Sequence, residues 1–167
     1  NNNLYLSSNP VFIDDEYAKE AESFQLKEND LLITMTGTRA KRDYLFTLLI
    51  NNSCLKDTNL YLNQRVGCIR FFKSIDESYV NLCLKVEAIL APIFETATGA
   101  ANQANIGVMA IKSTLIPLPP LAEQRRIVAR VQQLLGWCGQ LEQQVQESRG
   151  YAGQLLQAVL QEAFGRG

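Results

Sequence analysis

Arg39, Lys41 and Arg42 follow Gly37-Thr38 within a few residues, and Asn63-Gln64-Arg65 makes a second short polar corner. A third cluster, Asn102, Gln103 and Asn105, lies in a run of small and amide residues over 96–105. Such side chains are poor at breaking bonds and good at recognition. A guanidinium can bond guanine at two atoms at once, an Asn or Gln amide can do the same to adenine, and Lys, Ser and Thr hold phosphates and set register. Thr38, Arg39, Lys41, Arg42, Asn63, Gln64, Arg65, Asn102, Gln103 and Asn105 are therefore candidate nucleic-acid contacts. For each, a plain solvated surface residue is the competing reading.

Catalytic chemistry is poorly supplied. The chain has no histidine, which removes His-based triads, imidazole zinc sites and His general bases. Serine and cysteine nucleophiles thus lack that base. Asp76, Glu77, Glu87 and Glu95 fit exposed helix positions better than a nuclease cluster. Thr36-Gly37-Thr38-Arg39-Ala40-Lys41 lacks the spacing of a phosphate-binding P-loop, and no N-P-P-Y, D-P-P-Y or F-x-G-x-G string occurs. The chain reads as non-catalytic, with no cofactor and no metal. Cys54, Cys68, Cys83 and Cys138 include no C-x-x-C pair and lie in segments that look buried, so a reducing cytoplasm is the expected setting.

Charge is balanced overall at −1 but unevenly placed. Residues 1–35 carry Lys19 and Lys27 against seven acids, net −5, whereas residues 36–75 carry seven basic side chains against Asp43 and Asp57, net +5. A local basic block can give an electrostatic footprint inside a neutral chain, although a solvated face with scattered charges would look the same. With 167 residues, 47% hydrophobic and 20% charged, the chain can bury a core without staples. No apolar run approaches a membrane span, and Asn1-Asn2-Asn3 does not open a signal peptide. The first residue is not Met, which fits a fragment of a longer chain.

Recognition residues need elements to hold them, and the first hundred residues read as mixed α and β. Residues 4–6 and 11–13 have short-strand composition around a turn at 7–10, and 14–24 reads as a loop or short helix. Residues 27–30 form a turn, and 31–36 a strand ending at Gly37. Residues 44–50, 59–63 and 66–72 are further strands, with Gly67 a candidate bulge. Ser74 and Glu77 have capping-box spacing. Tyr79, Leu82, Cys83, Val86, Ile89 and Leu90 then repeat at helical spacing up to Pro92, which should end or kink the helix. Residues 96–105 read as a loop, and Leu115-Ile116-Pro117-Leu118-Pro119-Pro120 as an extended, proline-stiffened connection.

Beyond Pro120 the character changes. Proline suits a helix start, and the Glu123 carboxylate suits its first turn. Ile127, Val131, Leu134, Cys138, Leu141, Val145, Ser148, Ala152, Leu155 and Val159 follow a 4–3 spacing that is apolar except at Ser148, a heptad seam. A helix over 121–164 would run about 66 Å at 1.5 Å per residue, too long for its own small globule to cover. Gly136, Gly139, Gly150 and Gly153 each cost about 1 kcal/mol relative to Ala. Residues 150–153 are a candidate break, but small residues also let another helix come close. One long helix with partner support is the favoured reading.

The string Ile116-Pro117-Leu118-Pro119-Pro120-Leu121-Ala122-Glu123-Gln124-Arg125-Arg126-Ile127-Val128 resembles the start of the conserved helical region in the specificity (S) subunits of type I restriction–modification systems. There a target-recognition domain passes through a PLPP-x-x-EQ-x-x-I segment into a long helix. Asp30-Leu31-Leu32-Ile33-Thr34-Met35-Thr36-Gly37 is similar to the family's Gly-Asp strand, with Asn29 in place of the usual turn glycine. Leu62-Asn63-Gln64-Arg65-Val66-Gly67-Cys68-Ile69-Arg70 is similar to its next strand pair, and Gly99, Gln103, Asn105 and Ile106 lie in the loop before the proline exit. The resemblance covers about residues 25–165.

It implies an α+β fold: a small mixed target-recognition domain over 1–117, open to truncation at its start, then a conserved helix over 118–167 for coiled-coil pairing and subunit docking. It implies sequence-specific reading of double-stranded DNA, one half of a bipartite site, and delivery of methyltransferase (modification) subunits and, through the complex, a restriction subunit. The recognition domain is the variable part of this family, so the resemblance assigns no single base contact. A whole S subunit has two such domains and two helical regions, and this chain has one of each. It therefore resembles a C-terminal half or a half-length subunit, in which an antiparallel homodimer through Ile127, Val131, Leu134, Cys138, Leu141, Val145, Leu155 and Val159 could complete the pair. Leu135, Trp137, Tyr151 and Leu156 are further candidates for subunit docking. A structural coiled-coil adaptor, or the specificity end of a fused methyltransferase–nuclease, are the competing functions.

Overall fold

Three consecutive aliphatic residues, Leu31-Leu32-Ile33, demand a strand covered on both faces. In the computed structural model, which describes Leu6, residues 11–56 and residues 58–165, they open β1 (Leu31–Thr34) and are 0%, 5% and 0% exposed. β1 is the centre of a three-stranded antiparallel sheet, between β3 (Thr47–Leu49) and β4 (Val66–Ile69). Leu32 pairs with Leu48 and with Cys68 in the two registers. Its side chain joins Leu26 and Ile50 in a cluster backed by Leu48, Leu55, Leu60, Leu62 and Val66.

Two helices follow the sheet, α2 (Glu77–Cys83) and α3 (Glu87–Glu95). α2 packs on β3, and the pair buries Tyr79, Val80, Cys83, Leu90 and Ile93. Each fully buried Leu or Ile of this kind contributes about 2 kcal/mol of hydrophobic free energy. A second sheet, two strands only, pairs β2 (Thr36–Thr38) antiparallel with β5 (Gln103–Asn105). Met35 links the two sheets: its N–H donates to the Arg65 carbonyl at 3.0 Å, and its carbonyl accepts from the Ile106 N–H at 2.8 Å.

Asp30 is buried at the turn into β1. Its carboxylate accepts from the Lys27 N–H at 2.9 Å and from Arg70 Nε at 3.0 Å, and Arg70 Nη2 also donates to the Gln25 carbonyl. Asn29, beside it, has φ +68°. Asn tolerates this left-handed conformation with a glycine-like ease that other residues lack.

The structure differs from the sequence expectations in several places. Residues 11–13 form no strand, and Val11 and Phe12 are 93% and 82% exposed. Apart from Leu6, the expected strand at 4–6 and turn at 7–10 lie outside the described residues. The acidic stretch forms α1 (Asp15–Glu20), capped by Asp14, then a 3-10 turn. The strand at 31–36 breaks at Met35 and resumes as β2, so Gly37 lies inside a strand rather than ending one. The strand at 44–50 shrinks to Thr47–Leu49 because Leu45, fully buried, has φ +62° and cannot sit in a regular ladder.

Residues 59–63 make only an isolated bridge, Gln25 to Tyr61. The strand at 66–72 ends at Ile69, and Gly67 pairs in register with Ile33, not in a bulge. A Cβ there would come within 3.0 Å of Ile33 Cγ2 and 3.3 Å of the Met35 sulfur, so close packing is what suits glycine at this position. The expected helix after Ser74 starts later, its cap being Asp76, whose carboxylate accepts from the Tyr79 N–H. It also divides at Leu84-Lys85-Val86: Val86 adopts extended geometry and turns outward, while Pro92 sits inside α3 without ending it. The loop at 96–105 contains β5 and is followed by α4 (Val108–Lys112).

The proline exit, residues 115–120, forms neither helix nor strand, and α5 runs unbroken from Leu121 to Phe164 through all four of its glycines. Contacts divide the chain into two compact units, Asn1–Arg125 and Arg126–Gly167. Among the described residues no helix is long and apolar enough to cross a membrane.

Candidate nucleic-acid interface

The pairing of β2 with β5 joins two of the three polar clusters. Thr38 stands opposite Gln103, so the loop 39–42 and the turn 99–102 meet at one tip. The Arg39 N–H donates to the Asn102 carbonyl at 2.8 Å, and the Ala40 N–H to Asn102 Oδ1 at 2.9 Å. Arg42 takes φ +48°, which folds the loop back so that Asp43 returns to Thr38. Asp43 Oδ1 then accepts from both the Thr38 N–H, at 2.6 Å, and Thr38 Oγ1, at 2.9 Å. Those two bonds hold the Asp43 carboxyl below the usual carboxylate range, the backbone one first.

This return needs Gly37, where a Cβ would lie 2.6 Å from Asp43 Oδ1. Opposite it, Gly99 has φ +124°, a region that L side chains rarely adopt.

Arg39, Lys41 and Arg42 are all exposed here, but their surroundings differ. Arg39 Nη2 donates to the Ala97 carbonyl at 2.7 Å and its Nε to the Gln103 carbonyl at 3.2 Å. Arg42 lies over the Phe94 ring, 4.8 Å from its centre, and pairs with Glu87 at 2.9 Å. Phe94 is braced edge-on by buried Tyr44. Together with Glu95, the two arginines and two aromatic rings line a small open cleft beside the tip. Lys41 forms no hydrogen bond or ion pair with another described residue; the Gln103 amide likewise engages none, although its backbone does.

The remaining cluster sits elsewhere. Asn63, Gln64 and Arg65 are exposed in the corner before β4, where Asn63 Oδ1 caps the Arg65 N–H at 2.9 Å. Through Met35 this corner is tied to the root of the β2–β5 ribbon. The root is about 13 Å along the strand from Arg39 at 3.3 Å per residue. Asn105, half-buried, belongs to the ribbon itself, its backbone bonding Thr98.

One residue of the proline–helix string matters more than its sequence role suggested. Gln124 is 1% exposed. Its Oε1 accepts from the Asp76 N–H at 2.9 Å and its Nε2 donates to the Pro119 carbonyl at 2.7 Å, while Tyr79 Oη donates to the Pro117 carbonyl at 2.8 Å. The amide thus fastens the proline exit to the cap of α2. The only signal for this was the Glu-Gln pair inside the string itself.

On α5, Ile127 and Val131 are half-buried, whereas Leu134, Cys138, Leu141, Val145, Ser148, Ala152, Leu155 and Val159 are exposed. Cys138 is the one cysteine of the four that is openly exposed, against the expectation of burial, and all four are free thiols. Trp137, the chain's single tryptophan, is 47% exposed with the Arg130 guanidinium 5.4 Å over its ring. The four helix glycines meet nothing within 4 Å where a Cβ would stand. A row of apolar side chains and open glycine sites is therefore available to another surface. Among the described residues no three His, Cys, Asp or Glu side chains gather in a metal-binding group.

The family model for the type I restriction modification DNA specificity domain matches residues 1–148. The EcoAI type I restriction enzyme specificity subunit of Escherichia coli is 38% identical over 74 residues, 44% of this chain and 13% of that protein. The EcoKI specificity subunit of Escherichia coli strain K12 is 26% identical over 145 residues, 87% of this chain and 31% of that protein. In fold, the crystal structure of the HsdS subunit from Thermoanaerobacter tengcongensis superposes with a TM-score of 0.65 at 22% identity, covering 83% of this chain and 34% of that one. The chain spans about a third or less of the length of these relatives.

Proposed function

Since the chain belongs to the family of type I restriction modification DNA specificity domains, we propose that it reads one half of a bipartite site in double-stranded DNA for a restriction–modification complex. The observation that carries this reading is the β2–β5 pairing, which brings Thr38, Arg39, Lys41 and Arg42 to one tip with Asn102 and Gln103. A two-stranded ribbon ending in cations and amides has the width to enter a major groove and the donors and acceptors to read it. Asn63, Gln64 and Arg65, at the ribbon's root, would contact the backbone farther along the duplex, and Asn105 would hold the ribbon straight. The domain doing this spans 1–117, and it binds without catalysing.

The helix over 118–167 would act as spacer and docking post. Its seam, Ile127 to Val159, fits pairing with the helix of a second recognition half, in a longer chain or in a second copy, the latter giving a homodimer on a palindromic, interrupted site. Leu135, Trp137, Tyr151 and Leu156, exposed beside the seam, would take methyltransferase subunits, through which a restriction subunit joins. Such a complex works in the cytoplasm.

The test is selection from randomised duplex DNA by the full chain co-expressed with its modification subunit. A short enriched motif supports the reading, and two inverted copies at fixed spacing would report helix-paired dimers. Stable association with the modification subunit but no enriched motif would move DNA reading away from this ribbon and leave the chain a coiled-coil adaptor.

A further inference from the structure

We propose that the cleft beside the ribbon tip is a phosphate clamp, in which Arg39 and Arg42 together grip one backbone phosphate of the duplex and so fix the register in which the ribbon sits. This rests on the DNA-reading function above and adds to it a site that reads no base.

Arg39 is fixed before any ligand arrives. Its main-chain N–H donates to the Asn102 carbonyl at 2.8 Å, its Nη2 to the Ala97 carbonyl at 2.7 Å and its Nε to the Gln103 carbonyl at 3.2 Å. All three acceptors are neutral. Among the described residues no carboxylate pairs with this guanidinium, and its Nη1 bonds nothing. The side chain is therefore a rigid cation whose charge is left to an outside anion.

Arg42 supplies the second wall. Its guanidinium lies 4.8 Å from the centre of the Phe94 ring, and Tyr44 braces that ring edge-on at 5.1 Å. Nη1 pairs with Glu87 at 2.9 Å, while Nε and Nη2 bond no described residue. Both arginines and both rings line the one cleft. Two guanidinium groups in so small a space suit a tetrahedral anion, whose oxygens point in several directions and can accept from both. A base edge offers its acceptors in a single plane and meets one guanidinium.

The carboxylates decide which anion enters. Glu87 sits on Arg42, and Glu95 lines the same cleft beyond ion-pair distance of either arginine. The cleft is thus close to neutral as a whole, and a dissolved anion gains little there. A phosphate carried in by a duplex that the ribbon already holds arrives at a far higher effective concentration. It has only to displace Glu87 from an exposed ion pair, a kind that contributes little. Such a contact sets register and carries no sequence information.

The experiment uses the full chain with its modification subunit and a duplex bearing the motif that wild type selects. Each backbone phosphate is replaced in turn by a neutral methylphosphonate, and affinity is measured for wild type, Arg39→Ala, Arg42→Ala and the double variant. At one phosphate, replacement should weaken wild type by roughly tenfold or more, the loss expected of a charge-assisted contact. At that same phosphate each single variant should be far less sensitive. The selected motif should stay the same in all of them. Because one phosphate is shared, the double variant should flatten the salt slope by about 0.9 in all. Glu95→Gln should raise affinity severalfold with the motif intact, and inorganic phosphate at constant ionic strength should weaken wild type and Arg39→Ala alike.

The clamp is overturned if the two arginines couple to different phosphates, or if the double variant flattens the slope by about twice 0.9. A changed base preference in either variant also overturns it. Inorganic phosphate that weakens wild type alone would make the cleft a site for the free anion instead. Arg39→Gln, which keeps a donor for one carbonyl, takes the place of Arg39→Ala should that variant fail to fold. A wild type that selects no motif would remove the DNA-reading function and the clamp with it, whereas a selecting wild type with no coupled phosphate removes the clamp alone.

Discussion

The buried amide of Gln124 accepts a hydrogen bond from the backbone N–H of Asp76 at 2.9 Å, and Asp76 is the residue that caps α2. One side chain thereby links the start of the long helix, the proline exit and the helix pair behind the sheet. Gln124→Ala would leave the Asp76 N–H and the Pro119 carbonyl unpaired in a place water reaches poorly. We expect a loss of about 2 kcal/mol in unfolding free energy, following the usual cost of orphaned buried polar groups. Gln124→Glu keeps the acceptor but loses the donor to Pro119 and buries a charge, so it should be at least as damaging. Urea unfolding of both variants checks this; wild-type midpoints would show that the two bonds carry no net stability.

Cys68 supplies a pH test. Burial, and after it the Asp30 charge, push its thiol up to about 11 from an ordinary 9.0. Between those values the folded chain keeps a proton that the unfolded chain has released, so this residue's contribution to stability is full below pH 9.0 and falls as pH climbs toward about 11. Burial lowers Lys85 and works the opposite way in the alkaline range, so the quantity to follow is the difference between wild type and Cys68→Ser. That difference is expected to move against wild type as pH rises through the window; a constant difference would refute the assignment. Iodoacetamide should also label exposed Cys138 well before Cys68.

The proposed contact of Arg42 with DNA would have to displace Glu87. The pair is exposed and 2.9 Å apart, with Arg42 resting on Phe94. Glu87→Gln removes the carboxylate and leaves the aromatic rest. Affinity for duplex DNA should rise severalfold at low salt, and the salt slope should steepen by up to about 0.9, one more phosphate neutralised. If neither quantity changes in filter binding across a salt series, Arg42 lies outside the footprint.

Val145→Asp tests the helix seam. Val145 is 51% exposed, so the isolated chain should lose no more than about 0.5 kcal/mol. Self-association, or assembly with the modification subunit, should fall by tenfold or more, because a charge would enter an apolar seam. Sedimentation velocity separates the two effects. Unchanged assembly would assign the pairing to another face of α5.

What could be read in advance divides along physical lines. The β1 strand and the 121–164 helix announce themselves through apolar patterning, and proline chemistry marks where one gives way to the other. The ribbon did not announce itself: β5 is Gln103-Ala104-Asn105, three residues with little strand propensity, held by partners at Thr36–Thr38 that are distant in sequence. The division between α2 and α3 was equally hidden, since Val86 fits the helical spacing yet turns outward. Among the candidate contacts, sequence gave the residue types at the tip but not their commitments. That Arg39 and Asn102 are held by backbone groups depends on loop closure, through the folding-back at Arg42 and the glycines at 37 and 99.

Trp137 lies on α5, beyond the unit that carries the ribbon, and no other tryptophan occurs in the chain. Red-edge excitation therefore gives an optical signal with a single address. A blue shift on mixing would report something covering the helix, and quenching that tracks Arg130 would report a change in the stacked cation. The unit that carries the ribbon holds no tryptophan and is silent at that wavelength, so the proposed subunit assembly can be followed in real time while duplex DNA is added to the same molecule.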